Sequence, residues 1–190
     1  MNIKGEYRDV LSINGELIVD TGWKSNAIVE DYGRFLAALM KKDKSFHGQQ
    51  VGIEYIAVGG GDTNDSAVFK VKVAEFFNWL NDGNSGPKKD GDNWVWAKKI
   101  EGSDIQYLPE DTDTVTNKLK IDIRFNQNEP SEETLDFKEF ALVGIGTNPD
   151  NDQFVTDMMF FVNYVYHGQI TKDNTMLHTR TISLTFPVEE

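Results

Sequence analysis

The chain has 190 residues, 19 basic and 31 acidic side chains, a formal charge of −12 and no cysteine. That length suits one domain and buries a core without staples, while the missing thiols exclude a disulfide scaffold, a thiolate metal centre and a cysteine nucleophile. An acidic field of this size repels phosphate backbones, so nucleic-acid binding is not expected.

The first residues show no basic stretch leading into an apolar run, and no secretory leader is expected. Asn163 interrupts the longest apolar stretch, near Met158 to Val165, well short of the roughly 18 residues a membrane span needs. Three segments hold the charge excess: five acidic residues in 101–114, four in 129–136 and three in 148–157, none with a Lys or Arg. They read as solvated loops, or more sharply as a partner surface or a loose cation site.

Glu6 to Ile13 and Glu16 to Asp20 flank Asn14-Gly15, a dipeptide suited to the two positive φ values of a type I′ hairpin turn. Ile28, Tyr32, Phe35, Leu36, Leu39 and Met40 then recur at helical spacing, predicting an amphipathic helix over 26–41 capped by Ser25 or Asn26. Gly52 to Val58 reads as a buried strand running into Gly59-Gly60-Gly61. Val71 and Val73 alternate with Lys70 and Lys72, which favours a strand through Phe77 over a helix, and 81–93 reads as a polar loop.

Trp94 to Ile100 is a further strand, and Leu119, Ile121, Ile123 and Phe125 alternate with Lys120, Asp122 and Arg124 in the clearest one. Phe137 to Ile145, Met159 to Ile170 and a last strand through Ile182, Leu184 and Phe186 complete the set, with Pro187 as a stop. One helix and seven to nine strands joined by short turns predict a mainly β (α+β) fold. The expected form is an antiparallel β-sandwich or barrel, a single domain over 1–190, with one amphipathic helix packed against it.

Few motifs point to chemistry. Gly59 to Gly61 is followed by Asp62 rather than the Gly-Lys-Ser/Thr of a phosphate loop, and Asn64 stands where a dinucleotide fingerprint needs its third glycine. The run reads instead as a tight strand exit using positive φ. Asp62, Asn64 and Asp65 fail as a calcium loop because Ala67 and Val73 occupy the obligatory Gly and Glu positions. Asp111 with Asp113, and Asp150 with Asp152, offer oxygens to an adventitious cation at most. His47, His167 and His178 lack metal spacing; the last two read as a structural pair across a final hairpin. Trp94 and Trp96 share a strand face, as in a sugar-stacking surface or in a packed core.

Taken in order, three segments resemble bacteriophage tail structural proteins: the 26–40 helix, Gly52 to Asp62 (GIEYIAVGGGD) and Leu135 to Gly144 (LDFKEFALVG). The order is similar to that in N-terminal domains of tail-collar fibre proteins, with Ala141 where their second motif has glycine. Val162 to His167 and Thr179 to Phe186 are similar to the ends of small proteins of phage and contractile-injection tails. The resemblance implies a non-enzymatic virion subunit assembled in the bacterial cytoplasm. It implies docking to other tail proteins, with a homo-oligomer in the particle as one form of it, and supplies no catalytic residue, metal or cofactor. A chain ending at Glu190 without a fibre shaft fits a collar, baseplate or fibre-attachment adaptor.

The expected partner interface is Glu110, Asp111 and Asp113 with Trp94 and Trp96, the acidic loops meeting a basic neighbouring protein while copies of the chain dock through the sheet flank or the exposed hairpin. A carbohydrate-binding β-sandwich using the two tryptophans is the alternative, and an enzyme of unknown type a third.

Overall fold

The computed structural model describes residues 4–28, 52–62, 64–109, 117–131, 133–148 and 150–185. The chain is mainly antiparallel β with one α-helix among the described residues, the fold class expected from its patterning. It divides into two compact units, one drawn from 1–28, 100–135 and 171–190 and the other from 29–99 and 136–170.

In the first unit, β1 (Lys4–Ile13) turns through Asn14 and Gly15 into β2 (Glu16–Asp20). Both turn residues have positive φ, 49° and 84°, and Ile13 faces Glu16, as the Asn-Gly signal predicts. An ideal Cβ on Gly15 would meet no atom within 4 Å, so the demand there is backbone conformation alone. Gly15→Val therefore lowers folding stability by about 1 to 2 kcal/mol in urea titration, with no change in packing.

The same edge of β1 also pairs with β3 (Lys24–Ile28), while its other edge runs along β12 (Leu177–Thr185) from Lys4↔Thr185 to Ser12↔Leu177. Beyond β12 come β8 (Lys118–Phe125) and β7 (Ile105–Tyr107), all antiparallel. Alternation gives this sheet two characters. Tyr7, Asp9, Leu11, Ile121, Ile123, Phe125, Ile182 and Leu184 lie on its buried side, and Glu6, Arg8, Lys120, Asp122, Thr181 and Ser183 on the side open to solvent.

The second unit is built on the order β5 (Lys88–Asp90), β6 (Asn93–Lys99), β4 (Tyr55–Gly59) and β9 (Leu135–Thr147). On the far side of β9, β10 (Phe154–Phe161) pairs with its C-terminal half, and β11 (Asn163–Lys172) follows after a break at Val162. The sequence suggests one strand from Met159 to Ile170. Two form because the chain bends at Val162 and Asn163, whose side-chain oxygen accepts from the Leu142 N–H at 2.6 Å.

The segment around Val71 is the principal correction. It forms α1 (Ser66–Asn81), not a strand. Phe69, Val73, Phe76, Phe77 and Leu80 fall on one helical face, four of them fully buried, whereas Val68 and Val71 point outward at 39% and 58% exposure. Asp65, weighed above as a failed calcium ligand, is the N-cap: its carboxylate accepts from the Ala67 and Val68 amides at 2.8 and 3.3 Å.

The aromatic face packs where Ala57, Ala97 and Ala141 stand directly opposite one another across three strands, leaving room for rings. Asn81 terminates the helix by bonding both backbone groups of Phe154, at 3.0 and 2.8 Å. The polar stretch after it is not all loop, because Lys88–Asp90 forms a hairpin with Asn93 to Val95 around Gly91.

The helix expected over 26–41 lies outside the described residues except at its start. There Ser25, Asn26 and Ile28 belong to β3. The expected hairpin between the last two strands also fails: β1 and β8 occupy both edges of β12, so His178 stands opposite Leu11 and Phe125 rather than His167.

Candidate functional site

Three places in the described residues hold more than routine packing. Two are buried polar clusters, and the third is an exposed apolar arm.

The first cluster lies on the buried side of the first unit. Asp9, His178 and Arg180 have no accessible surface, and the ladder sets Asp9 directly opposite Arg180. Arg180 Nε and Nη2 both donate to the Asp9 carboxylate, the latter at 3.1 Å, and His178 Nε2 donates to Asp9 Oδ1 at 3.0 Å. Burial pushes the Asp9 carboxyl up, but the Arg180 charge and the two side-chain hydrogen bonds outweigh it and hold the group far below the usual carboxylate range. Burial lowers the His178 pKa, so the ring stays neutral, stacked on Phe125 at 5.1 Å.

In the second unit, Glu139 is fully buried and accepts from the Gly61 amide and the Tyr164 hydroxyl, both at 3.1 Å. Burial raises its pKa against the pull of Tyr164, Lys72 and Gly61. This cluster corrects the reading of the glycine run, because none of Gly59, Gly60 and Gly61 has positive φ. They are glycines because of close approach. A Cβ on Gly61 would sit 2.3 Å from Glu139 Oε1, and one on Gly60 2.2 Å from Trp94 Nε1. Outside the cluster, Asp62 forms an ion pair with Lys138.

The two clusters give stability opposite pH slopes. The unfolded chain protonates His178 near its ordinary 6.5 while the folded protein resists, so stability falls as pH drops through that value. Glu139 binds its proton more tightly when folded, so its contribution falls as pH rises past its ordinary 4.5. Urea titrations of Glu139→Gln from pH 4.5 to 7.5 should therefore show a steeper gain in stability with rising pH than the parent. An unchanged slope would contradict the assignment.

Asp9, Glu139, His178 and Arg180 have no accessible surface, and Tyr164 is almost fully buried. The two tryptophans differ in burial. Trp94 is 4% exposed and meets Phe137 edge-on at 5.0 Å, which leaves no open ring for a sugar, and Trp96 is half-buried. His167 is buried, its Nδ1 bonded to the Gly168 carbonyl. Glu110, Asp111, Asp113 and His47 lie outside the described residues. Among the described residues no group of three or more His, Asp or Glu side chains is placed to hold a metal ion, and no helix is long and apolar enough to cross a membrane.

The third place is open. All five residues of β2 are exposed, and Leu17, Ile18 and Val19 keep 59%, 48% and 38% of their surface. A half-buried strand hides every second side chain; here both faces are apolar and neither is covered. Between Leu11↔Val19 and Ser12↔Leu17 the ladder skips Ile18, a bulge that twists the arm. Trp23, 50% exposed, stands just after it and overlooks a groove of about 360 Å³ across the solvent side of the sheet.

Glu6, Arg8, Lys120 and Thr181 also line this groove. Arg8 is held by Asp20, whose pKa falls to about 2 through that hydrogen bond and one from the Gly22 amide. Lys120 pairs with Asp122 at 3.0 Å. The sequence singles out the hairpin as a place for docking between copies but not these residues, for which three consecutive apolar positions between Glu16 and Asp20, breaking the alternation of a half-buried strand, are the available signal.

No family model, curated protein or solved structure matches the chain.

Proposed function

We propose that the chain is a non-enzymatic structural subunit that works by docking to other proteins, set in a phage tail or a related injection machine as a collar, baseplate or fibre-attachment adaptor. The observation that carries the docking part is the exposed arm. Leu17, Ile18 and Val19 follow one another on the exposed arm and Trp23 stands four residues further on, all exposed, and soluble proteins usually keep such apolar side chains covered or use them for binding. The tail setting rests on the sequence resemblance alone, and with it the virion location and assembly in a bacterial cytoplasm. Sugar binding has less support because Trp94 is buried.

Mass spectrometry of particles purified from the producing cells tests the setting. The proposal expects the chain in intact tails at a fixed ratio to other tail proteins. Its absence from particles, with the chain present in the lysate, would contradict it.

A further inference from the structure

We infer that the arm and its groove take up a basic, strand-forming segment of another protein, which adds to the open edge of β2 and places a Lys or Arg side chain between Trp23 and Glu6. This rests on the docking reading above and names the chemistry of the partner. Among the described residues β2 pairs with β1 alone, so no described strand covers its outer edge over Glu16–Asp20. Such an edge is a template for strand addition, and proteins that do not use one usually blunt it with a central charge, a proline or a bulge. The bulge at Ile18 twists this edge, while no charge or proline interrupts it. Here the centre of the edge is Leu17, Ile18 and Val19, with the charges only at its ends.

Charge selects the occupant. Arg8 is neutralised by Asp20 and Lys120 by Asp122, which leaves Glu6 as the groove's carboxylate with no ion pair among the described residues. Trp23 lines the same groove and keeps half its surface open, and an exposed indole attracts a cation. The charge of −12 steers basic partners toward the chain, but its excess sits in 101–114, 129–136 and 148–157, so at this groove Glu6 and Trp23 select the cation.

A random-peptide display library panned against the full chain tests this, with Leu17→Ser/Val19→Ser and Glu6→Gln/Trp23→Ala as companion baits. Selected peptides should be rich in Lys or Arg within alternating β-branched residues and should protect the amides of β2 from hydrogen exchange. They should lose about tenfold in affinity on the Glu6→Gln/Trp23→Ala bait, the loss expected from one desolvated cation contact. Peptides without basic enrichment, unchanged affinity on that bait, or no selected peptides at all would overturn the inference.

Sedimentation of the parent as a dimer that Leu17→Ser/Val19→Ser dissociates would also overturn it, in favour of a second copy. If the chain is present in particles while peptide selection shows no basic preference, this inference alone falls. If it is absent from particles, the tail setting falls and the peptides still judge the groove.

Discussion

Asp9→Ala should cost about 3 to 5 kcal/mol of folding stability, because it leaves the Arg180 guanidinium buried without its carboxylate. The loss is not a measure of what the cluster contributes. Taking three polar groups out of water is itself costly, so replacing the set together by apolar residues of similar volume, Asp9→Leu with His178→Phe and Arg180→Met, should recover most of it. Urea midpoints of the single and triple variants decide the matter. A single variant within about 1 kcal/mol of the parent would show that water reaches Arg180 and that the cluster is not sealed.

The second large effect is steric. Gly144 sits in the buried part of β9, and a Cβ there would lie 2.0 Å from Phe160 Cζ and 2.6 Å from the Gly52 carbonyl oxygen. One of those neighbours is backbone and cannot swing away, so Gly144→Ala should cost about 3 kcal/mol, the upper end for overpacking a well-filled core. Adding Phe160→Leu should relieve the ring contact and restore part of the stability. Thermal unfolding of both variants is the measurement, and a Gly144→Ala protein as stable as the parent would show that this stretch of β9 and β10 is loosely packed.

Where neighbours in sequence decided the structure, the sequence could be read. The Asn14-Gly15 turn follows from backbone conformation, and the strict alternation of Leu119 to Phe125 fixes which side of β8 is buried. Reading failed where a distant partner decides. Val71 and Val73 suit a strand, and only the row of small alanines opposite Phe69, Phe76 and Phe77 makes a helix the better packing unit. The three glycines 59–61 looked like a turn because the carboxylate and indole that require them, Glu139 and Trp94, lie far off in sequence.

His178 looked like a partner for His167 because proximity in sequence suggested a hairpin, whereas β12 lies between β1 and β8. The docking arm was half legible. Its turn was clear, but the exposure of Leu17, Ile18 and Val19 depends on what the rest of the chain leaves uncovered.

The most direct test of docking through this arm is a competition. The parent chain and its Leu17→Ser/Val19→Ser variant, each with a distinguishing mass, are produced together in equal amounts in cells making particles, and their ratio is measured in purified particles and in the lysate. Both substituted side chains are exposed, so the variant should melt within a few degrees of the parent. Docking through the arm predicts a lysate ratio near one and a particle ratio of about ten to one in favour of the parent, the effect of losing two apolar contacts. Equal incorporation of a variant that folds like the parent would contradict the account.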